Sequence, residues 1–312
     1  MATTRHARHE IAVSAPADDV YVLIAAVEAW PRVFPPTVHV EVLERDGDAE
    51  RLRFWATANG EVKTWTSRRE LDPAHRRVSF RQEVSQHPVA SMGGRWQVEE
   101  VGGGKSLVVL DHHYAAVDDA PDGVDWIERA LDRNSHAELA ALRAAAERGS
   151  GVDELLFSFE DSVQVAGAPD DVYAFVRDAG RWSERLPHVA RVVLTEDVPD
   201  LQTLEMDTRT KDGQVHTTRS VRVCFPSRRI VYKQLVLPAL LAVHNGEWTF
   251  TPNSAGVLAT SRHTVVLDPA AIPEVLGEGA TAAQARDFVR GALSANSTAT
   301  LELAKAFAEA GG

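Results

Sequence analysis

The chain has 312 residues, of which 44% are hydrophobic, and a formal net charge of −12 at pH 7. Its length allows two ordinary domains, and its hydrophobic content excludes a largely disordered chain. The acidic balance argues against nucleic acid or an anionic membrane surface as the main partner. The single cysteine, Cys224, excludes an internal disulfide framework and a cysteine-based metal cluster.

The N-terminal segment "MATTRHARHE" is polar, and it lacks the apolar core of a secretory signal peptide. The sequence also has no uninterrupted apolar run of about 18 residues, the length that a membrane-spanning helix needs. We therefore expect a cytoplasmic protein that has no membrane as its partner.

In chain order, the first half opens with a short predicted strand, "HEIAVSA", from His9. The following Ala-Pro-Ala-Asp predicts a turn and the start of a short helix, with proline early and Asp18 at the cap. A second helical turn follows at Trp30. About six segments then alternate apolar and polar residues, separated by hairpin turn signals such as "ANG" and "EVGGGK". A long amphipathic helix, "DGVDWIERALDRNSHAELAALRAAAER", ends this half.

The second half repeats this order with similar sequence. "DDVYVLIAAVEAW" from Asp18 returns as "DDVYAFVRDAGRW" from Asp170, "WTSRRELDP" returns as "TRSVRVCFP", and "GGRW" returns as "NGEW". Solenoid repeats are far shorter than this unit, so the repeat indicates a duplicated domain. We expect domains over residues 1–149 and 155–312, joined by a small polar linker around "ERGSGVDE".

The order of elements in each half predicts a fold. Adjacent hairpins favour an antiparallel sheet, and a long amphipathic helix must bury its apolar face against that sheet. A curved sheet that grips a long helix leaves a cavity between them. The predicted fold class is therefore α+β: tandem duplicated helix-grip (START-like) domains, each a curved antiparallel sheet wrapped around a long C-terminal helix with an internal cavity.

Over its whole length the chain resembles the two-domain aromatase/cyclases of bacterial type II polyketide synthases. In the first half the resemblance rests on "APADDVY…EAWPRVFP", "NGEVKTWTSRRELDP", "GGRW" and "DRNS". Weaker echoes of the same segments support it in the second half. No single motif is specific, but the ordered set occurs twice, and this is what indicates the family.

The resemblance implies an enzyme of polyketide antibiotic biosynthesis that acts on a poly-β-ketone tethered to the phosphopantetheine arm of an acyl carrier protein. It implies first-ring aldol closure between C7 and C12, dehydration to the aromatic ring, or both, with no metal or redox cofactor. The implied partners are the acyl carrier protein and other subunits of a type II polyketide synthase. The alternative is a non-catalytic carrier or chaperone of a hydrophobic small molecule, which needs an apolar cavity but no buried arginine.

Arg69 is the first candidate for catalysis. Because side chains alternate along a strand, Trp65, Ser67 and Arg69 share one face. Arginine stays charged at neutral pH, so its expected role is to bind an enolate or ketone oxygen, with the Ser67 hydroxyl beside it. The structural alternative is an arginine paired with a carboxylate such as Glu83.

Aromatic and titratable side chains complete the predicted site of the first domain. Four aromatic residues could line the pocket and sort the chain by shape, or could be plain core: they are Trp30, Phe34, Trp65 and Trp96. His113 and Tyr114 are candidates for acid–base chemistry. His112 is the alternative to His113, since neighbours on a strand face opposite ways, and either could simply be a surface or hydrogen-bonded histidine.

In the second domain, Ser220 and Arg222 occupy the strand face equivalent to that of Ser67 and Arg69, and they are candidate catalytic residues. The candidate substrate-binding residues there are Trp248, His263 and Asn296. Thr218 stands where the first domain has Trp65, so we expect the first domain to hold the main reactive pocket.

Both predicted long helices carry an asparagine in their middle, Asn134 in the first domain and Asn296 in the second. Asparagine is a poor helix former. Its presence in both copies therefore indicates a polar contact, and we consider two partners for it. One is the substrate inside the cavity, and the other is a structural bond to a strand.

Overall fold

The computed structural model describes residues 3–148, 152–209, 213 and 215–311. The chain divides into two compact units, Met1–Ser150 and Gly151–Gly312, each with its own sheet. Residues 149–151 of the predicted linker lie outside the described residues, and the chain is helical up to Glu147 and again from Val152. Within the described ranges, no helix combines the length and the apolar composition that crossing a bilayer requires.

The first unit has the predicted order of elements. They are β1 (Arg5–Val13), α1 (Ala17–Ala25), α2 (Trp30–Val33), β2 (Thr37–Asp46), β3 (Ala49–Ala58), β4 (Glu61–Asp72), β5 (Arg77–Val84), β6 (Val89–Gly102), β7 (Lys105–Ala116) and α3 (Pro121–Glu147). The seven strands form one antiparallel sheet in the order β1-β7-β6-β5-β4-β3-β2. Consecutive strands are thus neighbours from β2 to β7, and β1 closes the other edge.

The second unit repeats this arrangement. Its elements are α4 (Val152–Leu155), β8 (Leu156–Val165), α5 (Pro169–Arg177), α6 (Trp182–Arg185), β9 (Val189–Val198), β10 (Leu201–Arg209), β11 (Val215–Phe225), β12 (Arg229–Val236), β13 (Leu241–Asn253), β14 (Gly256–Leu267), α7 (Ala271–Leu276) and α8 (Ala282–Glu309). The sheet order is β8-β14-β13-β12-β11-β10-β9. The sequence pattern did not predict α7, which lies in an insertion before the last helix.

Asp18, predicted to cap the first helix, lies two positions after the N-cap residue. The N-cap residue of α1 is Pro16, and Asp18 and Asp19 occupy the first turn, with no side-chain cap bond. A carboxylate in the first turn still stabilises a helix, because it faces the positive end of the helix dipole. The last helix, α8, begins with a full capping box, in which Thr281 and Gln284 bond each other's backbone N–H groups.

The long helix of each unit is held by two separate apolar clusters. In the first unit, Leu139 and Leu142 of α3 pack with Val108 and Leu110 of β7. Nearer its start, α3 packs in a second cluster that contains Ile127. The residues between these clusters, from Asn134 to Glu138, are the polar middle of the helix. Among them, Asn134, Ser135 and Glu138 line the space between helix and sheet, whereas His136 is exposed on the outer face.

The strand registers make the two units comparable position by position. On the first sheet, β3 pairs Phe54 with Trp65 and Glu50 with Arg69 of β4. On the second sheet, the same pairs become Met206 with Thr218 and Gln202 with Arg222. The arginine that the two units share therefore faces a glutamate in the first unit and a glutamine in the second.

Candidate active site

Each unit encloses a cavity between its sheet and its long helix. The cavity of the first unit contains about 1140 Å³ of space free of protein atoms, counted out to its open mouth. Most of its wall is apolar, which suits a large hydrophobic ligand. Six of the nine predicted site residues of this unit line it: they are Trp30, Trp65, Ser67, Arg69, Trp96 and Asn134.

Arg69 lies at the inner wall of this cavity and is 2% exposed. Its Nε donates to Glu50 Oε2 at 2.5 Å, Nη1 donates to the carbonyl of Ile24 at 3.2 Å, and Nη2 donates to the carbonyl of Ala25. Arg69 is thus ion-paired, but the partner is Glu50, whereas Glu83 pairs with two other arginines. These bonds use three of the five guanidinium N–H groups, and two remain for a substrate oxygen.

Neighbouring carboxylates offset the positive charge of Arg69. Burial lowers the pKa of Arg69, and the adjacent Glu50 opposes that shift. Glu50 also accepts a bond from Arg45 Nε at 2.8 Å. Arg45 also pairs with Glu28 Oε1 at 3.2 Å, so two carboxylates offset the two arginines and the charge at the inner wall of the first cavity is largely compensated.

Aromatic rings form the side of the cavity around Arg69. The rings of Phe54 and Trp65 stack with their centroids 5.5 Å apart, and the Arg69 guanidinium lies 5.7 Å from the centroid of the Trp30 ring. Phe34 is a correction to the predicted site. It is fully buried and stacks on the far side of this wall against Trp96 at 5.8 Å, so it belongs to the core and does not line the cavity.

The histidine that lines the first cavity is His112, and the prediction of His113 is corrected. The two residues alternate on β7, and His113 is exposed on the outer face while His112 is buried and lines the cavity. Burial lowers the pKa of His112 to about 4, so the imidazole is neutral at pH 7. Its Nδ1 has no hydrogen-bond partner among the described residues.

Tyr114 is also corrected. It shares the inner face of the strand with His112, but it is buried in the apolar cluster at the start of α3 rather than at the cavity. Its hydroxyl donates to Glu128 Oε1 at 2.9 Å. Burial and that carboxylate raise the pKa of Tyr114 to about 12, so it acts as a structural hydroxyl.

Glu138 is a cavity residue that the sequence analysis missed. It lies one helical turn after Asn134 on α3, and its carboxyl lines the cavity. Burial raises its pKa to about 8, so the carboxyl is mainly protonated at pH 7. The asparagine has a structural role as well, because its Nδ2 donates to the Thr57 carbonyl at 2.9 Å.

The second unit encloses a smaller cavity, with about 840 Å³ of space counted to its mouth. All five predicted site residues of this unit line it: they are Ser220, Arg222, Trp248, His263 and Asn296. Arg222 is 2% exposed, and its guanidinium lies 5.1 Å from the centroid of the Trp182 ring. Its Nη1 donates to Gln202 Oε1 at 2.9 Å, and its Nη2 donates to the Val176 carbonyl at 2.6 Å.

Histidines and a tyrosine form a polar network in the second cavity. His244 Nε2 lies 2.9 Å from His263 Nδ1, and the Tyr232 hydroxyl lies 3.3 Å from the same nitrogen. Gly246 leaves room for the tyrosine, since a Cβ there would lie 2.0 Å from its ring. Burial lowers the pKa of His244 to about 3 and that of His263 to about 4, so both imidazoles are neutral at pH 7.

One group of side chains in the first unit has metal-ligating chemistry. The candidate ligand atoms of His9, Asp132 and His136 lie within 4.8 Å of one another. However, His136 Nδ1 lies 2.7 Å from the main-chain oxygen of Asp132, a contact that requires a proton on that nitrogen. None of the three is among the described residues that line the cavity, so the group does not contribute to the candidate site.

Comparison with known proteins identifies the family. The family model described as "Polyketide cyclase / dehydrase and lipid transport" matches residues 4–147 and again 157–306. The chain belongs to this family. The sequence-based resemblance is therefore confirmed, and each structural unit contains one copy of the family domain.

Relatives within the polyketide cyclase/dehydrase family extend over the whole chain. It is 52% identical over 310 residues to the actinorhodin polyketide synthase bifunctional cyclase/dehydratase of Streptomyces coelicolor, covering 96% of each chain. It is 50% identical over 300 residues to the granaticin polyketide synthase bifunctional cyclase/dehydratase of Streptomyces violaceoruber, covering 96% of this chain and 93% of the relative.

Solved structures of di-domain ARO/CYC proteins confirm the tandem fold. BexL from the BE-7585A biosynthetic pathway is 58% identical and superposes with a TM-score of 0.86 over 98% of this chain and 99% of its own. StfQ from the steffimycin biosynthetic pathway is 39% identical, with a TM-score of 0.84 over 97% and 98% of the two chains. The predicted helix-grip duplication is thus confirmed.

Proposed function

We propose that this protein is a polyketide aromatase/cyclase that acts in the cytoplasm on a poly-β-ketone tethered to an acyl carrier protein. It catalyses first-ring aldol closure between C7 and C12, the dehydration that makes this ring aromatic, or both, and the first cavity is the main reactive site. The full-length relatives, which are named cyclase/dehydratases of polyketide synthases, support this activity. The open mouth of the cavity would admit a chain that is still attached to its carrier.

One observation carries the proposal: three groups of different chemistry line one apolar cavity. Arg69 is a buried cation with unused N–H groups, His112 is a neutral base, and Glu138 is a protonated acid. A carrier of hydrophobic molecules needs none of these groups. An aldol reaction followed by dehydration needs all three, since it forms an enolate, moves protons from carbon, and expels a hydroxyl group.

Ring closure follows from these assignments. His112 removes a proton from a carbon between two carbonyls, and the electron pair of the C–H bond becomes the enolate. The enolate oxygen accepts the two remaining N–H groups of Arg69, which stabilise its charge in a site with little water. The enolate carbon then bonds to the distant ketone carbon, and the resulting alkoxide takes the proton back from the His112 imidazolium.

Dehydration uses the acid that the first step leaves untouched. His112 removes a second proton from the new ring, and Glu138 donates its proton to the hydroxyl group as the C–O bond breaks. The electron pair of the C–H bond becomes the C=C bond, and water leaves. The imidazolium then returns its proton to the Glu138 carboxylate, which restores both groups. The aromatic wall of Trp30, Phe54 and Trp65 fixes the fold of the flexible chain, which is an orientation effect.

The proposal is tested by reconstitution with a minimal type II synthase that releases an uncyclised chain. Wild type, Arg69→Lys and His112→Phe are compared with Asp125→Asn, an exposed α3 variant that serves as a matched control. We expect wild type and Asp125→Asn to give the C7–C12 aromatic product. Both cavity variants should lose it by about 100-fold, the usual contribution of a positioned acid–base group.

The same assay separates the enzyme from the carrier. A carrier would leave the product distribution unchanged when wild type is added, although it would bind the chain. Product formation that ignores both cavity variants, with folding verified by circular dichroism, would remove the main support for catalysis in the first cavity.

A further inference from the structure

The second cavity differs from the first in the charge around its arginine. Gln202 occupies the position of Glu50, so Arg222 bonds a neutral amide where Arg69 bonds a carboxylate. The Nε2 of Gln202 in turn donates to Glu196 at 2.7 Å. That carboxylate is one side chain further away, and Arg177 binds it at 2.6 Å. The negative charge of Glu196 is therefore offset by Arg177.

The other titratable groups around Arg222 are neutral or already ion-paired. Burial raises the pKa of Cys224, Tyr173 and Tyr232, which keeps these groups protonated, and Arg177 is paired with both Glu196 and Asp200. The neutral His244 and His263 lie in the same cavity. Among the described residues, neither Asp nor Glu lines this cavity.

A buried cation without a carboxylate is costly, and an anionic ligand that reaches it removes that cost. The guanidinium has the geometry for this, because its bonds to Gln202 and Val176 use two of its five N–H groups. Tyr232 adds a hydroxyl donor on the same cavity wall. The remaining wall contains Trp182, Leu204, Met206 and Trp248, which suit a flat apolar body.

We propose that the second cavity is a binding site for an ionised enol or phenol, whose oxygen anion pairs with Arg222. The ligand class rests on the proposed function, since both poly-β-ketones and their aromatic products have such oxygens. The first cavity, where Glu50 neutralises the arginine, binds the neutral ketone form. The two units therefore divide the ligand by charge: the second holds the anion, and the first performs the proton transfers.

The test is direct binding to the full chain, without synthase or turnover. The probe is 1-phenylbutane-1,3-dione, followed by the absorption band of its enolate and by calorimetry. The control ligand is its 2,2-dimethyl derivative, which cannot form an enolate between the carbonyls. The key variant is Gln202→Glu, which introduces the carboxylate of the first unit at nearly constant volume, and Arg222→Met is the second variant.

We expect wild type to bind the enolate, and both variants to weaken it by about tenfold or more, the effect of losing one charge-assisted hydrogen bond. The blocked diketone should bind all three proteins equally. Glu50→Gln should add a second enolate site. Enolate binding that is the same in wild type and in both variants would overturn the proposal, and so would wild type that binds the blocked diketone as tightly as the enolate.

A second probe distinguishes the two sources of the anion. The phenolate of 2,4-dihydroxyacetophenone represents the aromatic product, and the diketone enolate represents the unclosed chain. Arg222-dependent binding of either one supports the site, and the tighter of the two identifies its source. Because no product is formed in this assay, a failed cyclisation assay would overturn the proposed function while leaving this site unaffected, and the reverse also holds.

Discussion

The two cavities share one scaffold, and three substitutions on their paired strands change the surroundings of the arginine. Glu50, Phe54 and Trp65 of the first unit correspond to Gln202, Met206 and Thr218 of the second through the same strand register. The arginine remains at its place in both units, as does the serine two residues before it. Both units thus keep the cavity, while the substitutions change its charge, its shape and the groups in it that can donate or accept a proton.

A fourth difference lies on the long helices. The first cavity has the protonated Glu138, one turn after Asn134, whereas the second has Thr300, one turn after Asn296, and its hydroxyl donates to the Asn296 carbonyl. The second cavity therefore lacks the first cavity's acid at this position. Equal folds and equal arginines therefore do not give equal electrostatics, because the neighbouring groups decide whether the arginine's charge is compensated.

The largest effect on activity should come from removing the Glu138 carboxyl, an acid that the second cavity lacks at the equivalent position. In Glu138→Gln we expect dehydration to slow by about 100-fold or more, because the amide cannot donate an acidic proton to the leaving hydroxyl. Single-turnover product analysis should show the ring-closed but unaromatised compound. Glu138→Asp, which keeps the acid, should retain more activity. A wild-type dehydration rate in the glutamine variant would show that Glu138 is not the acid and that this position does not make the two cavities differ in function.

The next largest effect concerns stability. Arg69→Met leaves Glu50 buried with only the half-exposed Arg45 beside it, and should cost about 3 kcal/mol of unfolding free energy. Arg222→Met removes a charge that has no direct carboxylate, so it should be neutral or stabilising. Urea unfolding, followed by tryptophan fluorescence, measures both variants. Equal losses in the two variants would contradict the difference in compensation.

Much of this comparison was accessible from the sequence, and the rest was missed for physical reasons. Strand alternation correctly placed Ser67 and Arg69 on one face, but the partner of Arg69 depends on the register between β3 and β4, which the pattern does not contain. The choice of His113 over His112 was wrong for the same reason, since it depends on the register in which Gly94 pairs with His112, as Gly246 pairs with His263.

Glu138 was harder to find, because a glutamate on a long helix is normally a solvent-exposed residue. The one signal is its spacing of four residues from Asn134, which puts both on the same helix face. The fold itself followed from hairpin turns and the final helix in each repeat. The short α7 was missed because the insertion that contains it has no counterpart in the first half.

The pH dependence of the first cavity sharpens the contrast further. The proposed mechanism needs a neutral His112, with a pKa of about 4, and a protonated Glu138, with a pKa of about 8. Activity should therefore fall below about pH 4 as the imidazole gains a proton, and fall above about pH 8 as the carboxyl loses one. The residual dehydration rate of Glu138→Gln should not fall above about pH 8. If it still falls there, a group other than Glu138 is responsible for the loss of activity at high pH.

The smallest effect should come from the aromatic wall, and it concerns shape rather than charge. Trp65→Thr gives the first cavity the residue of the second and removes a stacked ring pair, which is worth about 1 kcal/mol. Arg69, His112 and Glu138 remain, so the rate of chain consumption should stay within about threefold, while the share of correctly closed C7–C12 product falls.

The matched change in the other direction is Thr218→Trp, which places an indole opposite Met206 in the second cavity. It should leave the product profile unchanged, because we propose that the proton transfers occur in the first cavity, and it should weaken binding of the enolate probe by filling the space beside Arg222. Product analysis by chromatography tests the reaction in the first cavity, and the binding titration tests the enolate site in the second. A product profile altered by Thr218→Trp as much as by Trp65→Thr would mean that the growing ring is shaped in both cavities.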